Sequence, residues 1–458
     1  MDIETQYQNA LDYIYAYVDY SLTKNFRYAA DTFNLERVRR LLDRLGNPHL
    51  QYPVIHVAGT KGKGSVTAMI ASALAASGKK TGFYTSPHLW DFCERIQISG
   101  QPISHEEFVA LIEEMKPHIE MVPEITTFEI STALGFLYFA RMGADFAVVE
   151  VGLGGRLDAT NVVEPLVSVI TSISYDHMSV LGNSLTQIAT EKAGIIKPGR
   201  PVVIAPQKEE AYQVFTQIAA ERGSRLVEVG KDILYAPANR SLDGQSLFVW
   251  AEADQERMNE IIETGKNASW QPTCLEIPLL GYHQVENAAT AYTALQVAGL
   301  ECCKISEEQL LQGFRQVKWP ARFELLRRDP PLIVDSAHNR DSALKLRLTL
   351  DDYFPGRPVI LVFGASEDKD ITGMFDELVP RVERIIATRS IHPRAIEPEK
   401  LVQLAHQRGC PAKMVLPVEQ ALKTAVDLAG NDTIVLVAGS LFIAAAATAA
   451  WNQMPEPA

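Results

Sequence analysis

His56-Val57-Ala58-Gly59-Thr60-Lys61-Gly62-Lys63-Gly64-Ser65 decides the fold of this 458-residue chain. An apolar run over 54–58 enters it and a helical pattern over 65–77 leaves it. A Gly-rich turn between strand and helix lets backbone N–H groups converge on a phosphate, and the helix N-terminus adds its positive dipole end. Lys63 would neutralise terminal phosphates, with Gly59, Thr60, Gly62, Gly64 and Ser65 around them. The stretch departs from G-x-x-x-x-G-K-[ST], because residue 57 is Val and the hydroxyl waits until Ser65. A plain Gly-rich turn is the alternative, opposed by two lysines inside the loop.

Working outward, short apolar runs alternate with longer amphipathic ones, the pattern of βαβ units around a parallel sheet. Strands are expected over 54–58, 81–85, 146–151, 166–173 and 201–205. Helices are expected over 65–77, 127–142 and 185–193. From 226 to 277 the texture turns short, polar and turn-rich, which reads as hairpins covering one edge. A helix over 284–298 follows, then Val317-Lys318-Trp319-Pro320-Ala321 reads as a hinge. Beyond it strands are expected over 332–335, 359–363, 384–388 and 434–438. Two α/β domains result, 1–318 with a hairpin-rich insertion at 226–277, and 319–458, with no internal repeat or low-complexity linker.

Composition bounds the function. At roughly 100–200 residues per domain, the length allows two or three domains. Basic residues number 43 against 56 acidic, a net charge of −13, which disfavours nucleic acid and anionic membranes as partners. The five cysteines show no C-x-x-C spacing, so no disulfide framework or zinc ribbon is indicated, and burial is the default for Cys302-Cys303. The N-terminus lacks a signal-peptide pattern, and a cytoplasmic setting is expected. Residues 434–451 carry no charge over 18 positions and imitate a membrane span. Gly439-Ser440 punctuates them, so a buried strand turning into an Ala-rich helix is the better reading.

Other constellations sit at strand ends, where parallel α/β sheets build their sites. Glu150 opens Glu150-Val151-Gly152-Leu153-Gly154-Gly155-Arg156-Leu157-Asp158-Ala159-Thr160-Asn161, and its carboxylate suits magnesium on a nucleotide. Ser86-Pro87-His88 and Ser174-Tyr175-Asp176-His177 follow two more strands. A phosphate loop, a strand-end Glu and two strand-end His motifs in one sheet point to a shared metal–nucleotide site. Lys192 reads from spacing as an ordinary cation of a helix's last turn. In the second domain Asp335 and His338 lie at a strand end and Arg322 beside the hinge. They would meet a nucleotide if the domains close over it, or belong to a packing network.

With these residues in view, the chain resembles the folylpolyglutamate synthases and the bifunctional dihydrofolate synthase/folylpolyglutamate synthases of the Mur ligase superfamily, over essentially its whole length. That resemblance implies a P-loop Mur-ligase-type central domain with a parallel sheet plus a smaller Rossmann-like C-terminal domain. It implies ATP-dependent ligation of L-glutamate to a folate, and also to dihydropteroate in bifunctional members, through an acyl phosphate. It implies ATP phosphates on Gly62, Lys63, Gly64 and Ser65, with nucleotide contacts from Asn287, Arg322 and Asp335 and with His338 lining the same cleft. Two magnesium ions are implied, with Ser86, Glu150 and His177 as ligands and Lys192 carbamylated beside the second. Thr126, Thr127, Phe128 and Glu129 with Leu157, Asp158 and Ala159 match where bifunctional members hold dihydropteroate, although Phe128 reads equally as core. The family commonly has asparagine where Lys61 stands. A monomer is expected. The rivals are a Mur-type ligase acting on another carboxylate and a P-loop ATPase switch.

Overall fold

The computed structural model describes residues 2–18, 34–265, 269–299 and 305–454. Cys302 and Cys303 lie outside the described residues. The chain divides into two compact units: Met1–Asn239 with Gln245–Pro278 and Gln284–Val317, and Lys318–Ala458 with Arg240–Gly244 and Leu279–His283.

The first unit is built on an eight-stranded sheet. Its strands are β1 (Val54–Ala58), β2 (Thr81–Tyr84), β3 (Ile96–Ile98), β4 (Gln101–Pro102), β5 (Phe146–Glu150), β6 (Val167–Ile170), β7 (Val202–Ile204) and β8 (Leu226–Glu228), in the order β4-β3-β2-β5-β1-β6-β7-β8. From β2 through β8 the pairs are parallel, whereas β3 and β4 are antiparallel. Every residue of β1, β2, β5 and β6 is buried, as expected of strands covered on both faces. The Lys63–Ala76 helix is buried almost all round, which explains its small, apolar, weakly amphipathic sequence.

The 226–277 reading needs correction. Its first piece, β8, extends the parallel sheet; β9 (Ile233–Ser241), β10 (Gly244–Ala251) and β11 (Thr273–Ile277) form a separate three-stranded sheet; and a helix, Gln255–Thr264, intervenes. Three-residue strands such as β3 and β8 are too short to display a period, so sequence pattern misses or misplaces them.

In the second unit, β12 (Glu324–Arg328), β13 (Pro331–Val334), β14 (Val359–Phe363), β15 (Val382–Ala387), β16 (Ala412–Met414) and β17 (Ile434–Ala438) order as β12-β13-β17-β14-β15-β16. Only β12 runs antiparallel. The uncharged 434–451 stretch is the central strand β17 followed by the Leu441–Gln453 helix, which Ser440 caps through Ile443 N–H. Among the described residues no helix is long and apolar enough to cross a membrane.

Two polar knots fasten the N-terminal helices of the first unit. Arg37 Nε donates to both oxygens of Glu129 at 3.1 Å, with both side chains nearly buried. Removing one member of such a pair strands a charge, so Arg37→Ala is expected to cost about 3–5 kcal/mol. Denaturant unfolding checks this, and a loss below about 1 kcal/mol would contradict it.

Asp91, Cys93 and His105 form a cluster of potential metal ligands within 4.8 Å of one another. Their atoms are already engaged: Tyr7 Oη donates to Asp91 Oδ1 at 2.9 Å, and His105 bridges Asp91 Oδ2 at 3.1 Å and Glu4 Oε1 at 2.9 Å. Burial pushes the Cys93 thiol up to about 12, so it is a neutral group tying helix Ile3–Tyr15 to its surroundings rather than a thiolate. Burial opposes the charged form of His105, but its hydrogen bonds to the Glu4 and Asp91 carboxylates outweigh it and raise its pKa. A raised folded-state pKa stabilises fully below the unfolded value of about 6.5 and loses that contribution as pH climbs through the folded value. Thermal melts should therefore show wild type losing an increment above about pH 6.5 that His105→Gln lacks. Parallel pH profiles for the two proteins would refute the assignment.

Candidate functional site

The phosphate loop joins β1 to the Lys63–Ala76 helix. Gly62 caps that helix with φ of 88°, and a β-carbon there would lie 2.2 Å from Asn287 Oδ1. Glycine is thus required twice, for the left-handed backbone and for the seat of Asn287. Asn287 is itself held by its Nδ2 donating to Gln284 Oε1 at 3.0 Å. Thr60 N and Lys61 N donate to Ser172 O, and Thr60 Oγ1 donates to Ser174 O, so the loop is stitched to the segment after β6. Gly59 and Ser65 are buried, while Gly64 and Lys63 are partly exposed at the helix start.

At the end of β5, Glu150 is buried, and its Oε1 lies 4.0 Å from Lys63 Nζ. Its other oxygen accepts a short hydrogen bond from Thr85 Oγ1. Ser86 follows Thr85 directly. His177 has a half-exposed side chain and sits beside Asp176, whose Oδ2 is 2.6 Å from Lys61 Nζ. Lys63 and Glu150 are therefore brought together directly, whereas His177 is linked to the loop through Asp176. His88 is occupied by Arg95, whose Nε donates to its Nδ1 at 2.9 Å; burial, then the Arg95 charge, brings its pKa down to about 4.

Lys192 departs most from its sequence reading. It is no solvated last-turn cation: it is 4% exposed, and its Nζ donates to Gly59 O at 2.7 Å. Burial, then the charge of Lys63, push its pKa well below the ordinary lysine value, with Asp176 pulling it up more than Lys61 pushes it down. An amine whose charged form burial disfavours thus sits against the phosphate loop. Arg156 makes an outward pair with Glu191 at 2.8 Å.

The second group lies where the Thr127–Arg141 helix meets the loop after β5. Thr126 and Glu129 close a capping box, Thr127 Oγ1 donates to Ile14 O at 2.9 Å, and Glu129 is engaged by Arg37. These side chains shape the segment. Phe128 is partly buried against the core and lies over Gly152, where a β-carbon would come within 2.5 Å of its Cζ and 3.3 Å of Asp158 Oδ2. Asp158 is buried and accepts from Leu153 N at 2.8 Å and Thr160 N at 3.0 Å; Leu157 and Ala159 flank it. Burial raises its pKa, although these donors pull it back.

In the second unit Arg322 NH1 donates to Ala321 O at 3.0 Å and makes a short hydrogen bond to Ser336 Oγ. Asp335 is held by Phe323 N at 2.8 Å and Ala337 N at 2.7 Å, with its pKa raised by burial against the Arg322 charge. His338 Nδ1 lies 2.9 Å from Ser336 O. Arg322, just ahead of β12, thus reaches the strand-end turn after β13 that carries Asp335 and His338.

Thr85 and Asp176 had not been singled out. Each immediately precedes a predicted ligand, and that adjacency was the available signal. A magnesium ion asks for oxygen donors and few protein ligands. The Glu150 carboxylate and Ser86 hydroxyl fit that demand, with His177 as a further donor. A nucleotide's phosphates fit the lysine-bearing loop at a helix N-terminus.

Residues 57–295 match the Mur ligase middle domain and residues 321–441 the Mur ligase, glutamate ligase domain. The chain is 36% identical over 445 residues to the dihydrofolate synthase/folylpolyglutamate synthase of Bacillus subtilis, covering 96% of this chain and 97% of that one. It is 33% identical to the folylpolyglutamate synthase of Lacticaseibacillus casei, over 92% and 95% respectively. Among solved structures, Mycobacterium tuberculosis folylpolyglutamate synthase complexed with ADP and AMPPCP superposes with a TM-score of 0.84 at 30% identity, covering 99% of this chain and all of that one. The Escherichia coli protein solved with DHPP and ADP gives 0.82 at 29% identity, over 97% of each chain. With these matches over nearly its full length, the chain belongs to the folylpolyglutamate synthase and dihydrofolate synthase family of the Mur ligases.

Proposed function

We propose that this protein joins the amine of L-glutamate to the terminal carboxylate of a folate at the expense of ATP, through an acyl phosphate, and that dihydropteroate is also an acceptor. The observation that carries this reading is the Lys63–Glu150 pair at the mouth of the phosphate loop, with the buried Lys192 amine bound to Gly59 behind it.

Phosphoryl transfer needs positioning and charge neutralisation more than covalent help. Lys63 supplies a positive charge at the terminal phosphates, and the first N–H groups of its helix supply donors. Asn287 fixes the loop by packing on Gly62. Glu150, Ser86 and His177 would hold magnesium, which supplies neutralisation where two anions meet. Burial biases Lys192 toward the free-base amine, the form that takes up carbon dioxide with loss of a proton; the resulting carbamate would be a carboxylate suited to a second ion. Phe128 and Asp158 offer a ring face and a buried acceptor to the pterin, on a segment shaped by Thr126, Thr127 and Glu129 and by Leu157 and Ala159. In the second unit Arg322, Asp335 and His338 supply nucleotide contacts. We place the enzyme in the cytoplasm as a monomer.

Purified protein given ATP, magnesium and labelled L-glutamate should yield labelled product with tetrahydrofolate and with dihydropteroate, and none without a pterin. ATP turnover that ignores glutamate, with no labelled pterin product, would overturn the reading. Product from tetrahydrofolate alone would confine the activity to chain extension.

A further inference from the structure

His56 belongs to the quoted loop motif, yet the ligation chemistry gives it no work. It lies in the middle of β1, paired in register with Val149 of β5 and Ser168 of β6, and is fully buried. A polar ring in the centre of a parallel sheet is costly unless bonded. Its Nε2 lies 2.9 Å from Thr160 Oγ1, and Thr160 Oγ1 lies 2.5 Å from Asp158 Oδ1. Thr160 is also fully buried, and His56 Nδ1 is buried without a hydrogen-bond partner. Three side chains from two distant segments thus form one line ending on the carboxylate beside Phe128 and Gly152.

The proton inventory of that line allows two states. An ionised carboxylate only accepts, so the Thr160 hydroxyl proton must point at Asp158, and Oγ1 must then accept from His56 Nε2–H. The unpartnered atom is in that case a bare ring nitrogen. In the other state Asp158 is protonated and donates to Thr160, the hydroxyl donates to Nε2, and the proton on His56 sits on Nδ1 as a buried N–H with no acceptor. Orphaned buried N–H groups are the rarer and costlier kind. The line therefore favours the first state, adding a polarised hydroxyl to the backbone donors of Asp158 and opposing the effect of its burial.

We propose that His56, acting through Thr160, is a positioning residue that keeps Asp158 ionised and aimed as an acceptor for the paired N–H donors of a 2-amino-4-oxo heterocycle. The part concerning the heterocycle rests on the function proposed above; the hydrogen-bond polarity does not.

The test has two arms. In the first, nitrogen-15 NMR of the histidine-labelled full chain without substrate reads the tautomer of His56, assigned by its loss in His56→Gln. The expected result is a neutral ring protonated on Nε2, whose proton signal shifts in Thr160→Val; a ring protonated on Nδ1 overturns the relay. In the second, His56→Met and Thr160→Val should each raise the KM for the pterin substrate about tenfold, the size of one hydrogen bond to a charged group, while kcat and the KM for ATP change little. His56→Gln and Thr160→Ser, which restore a donor and a hydroxyl, should recover much of that loss. Equal effects of methionine and glutamine, or a loss in kcat and melting temperature alone, would reduce His56 to a packing residue. Asp158→Asn separates the premises. If it raises the pterin KM while His56→Met and Thr160→Val do not, the relay fails. If it leaves that KM unchanged, the substrate reading of Asp158 fails and the NMR arm alone judges the relay.

Discussion

Lys63→Ala is expected to abolish glutamate ligation, with kcat falling by about 10²–10³-fold or more, because it removes the loop cation that lies beside Glu150 and that, on the proposed function, neutralises the terminal phosphates. The fold should survive. Lys63 is the first residue of its helix, its side chain is not buried in the core, and alanine is a good helix former. The change also takes a nearby cation away from Glu150, so less positive charge offsets its carboxylate and the incoming phosphates. Nucleotide affinity should therefore drop along with turnover. Labelled-glutamate incorporation and nucleotide titration, with circular dichroism as a fold control, measure all three quantities. Ligation within tenfold of wild type would mean that the loop has been misassigned.

The second large effect separates activity from stability. Lys192→Met keeps the approximate length of the side chain and removes an amine whose charged form burial disfavours. Ligation should fall by about 10²-fold or more, since no carbamate can form and the charge it would contribute is missing. The melting temperature should stay level or rise, because an apolar side chain of similar volume suits a site that is 4% exposed, against the loss of one hydrogen bond to Gly59 O. Wild-type enzyme prepared in carbon-dioxide-free buffer should regain activity when bicarbonate is added, and the variant should not respond. A wild type indifferent to bicarbonate would count against the carbamate, and a collapsed fold in Lys192→Met would make the lysine structural.

Much of the architecture was legible because the signals are local. The strand, Gly-rich turn and helix around Lys63, the β1, β14 and β17 boundaries, and the passage from β17 into a capped helix follow from runs of neighbouring residues. The misses included the short strands β3, β4, β8 and β16, where a few residues carry no readable period, and also the edge strand β12 and the Gln255–Thr264 helix. At the site, Glu150, Ser86 and Asp335 were singled out because parallel sheets expose their carboxyl ends to ligands, and the structure places all three at or just past strand ends. Lys192 was misread from spacing, since helical periodicity reports which face is apolar and not what that face meets.

What the sequence by itself determined is therefore the chain of βαβ units, the phosphate loop and the family. Tertiary structure alone decided which charges are buried and who satisfies them. Lys192 meets Gly59 across 133 residues, Lys61 meets Asp176 across 115, His56 meets Thr160 across 104 and Arg37 meets Glu129 across 92. The physical reason is that backbone conformation responds to adjacent residues, whereas the protonation and polarity of a side chain respond to whatever the fold places within about 3–4 Å of it.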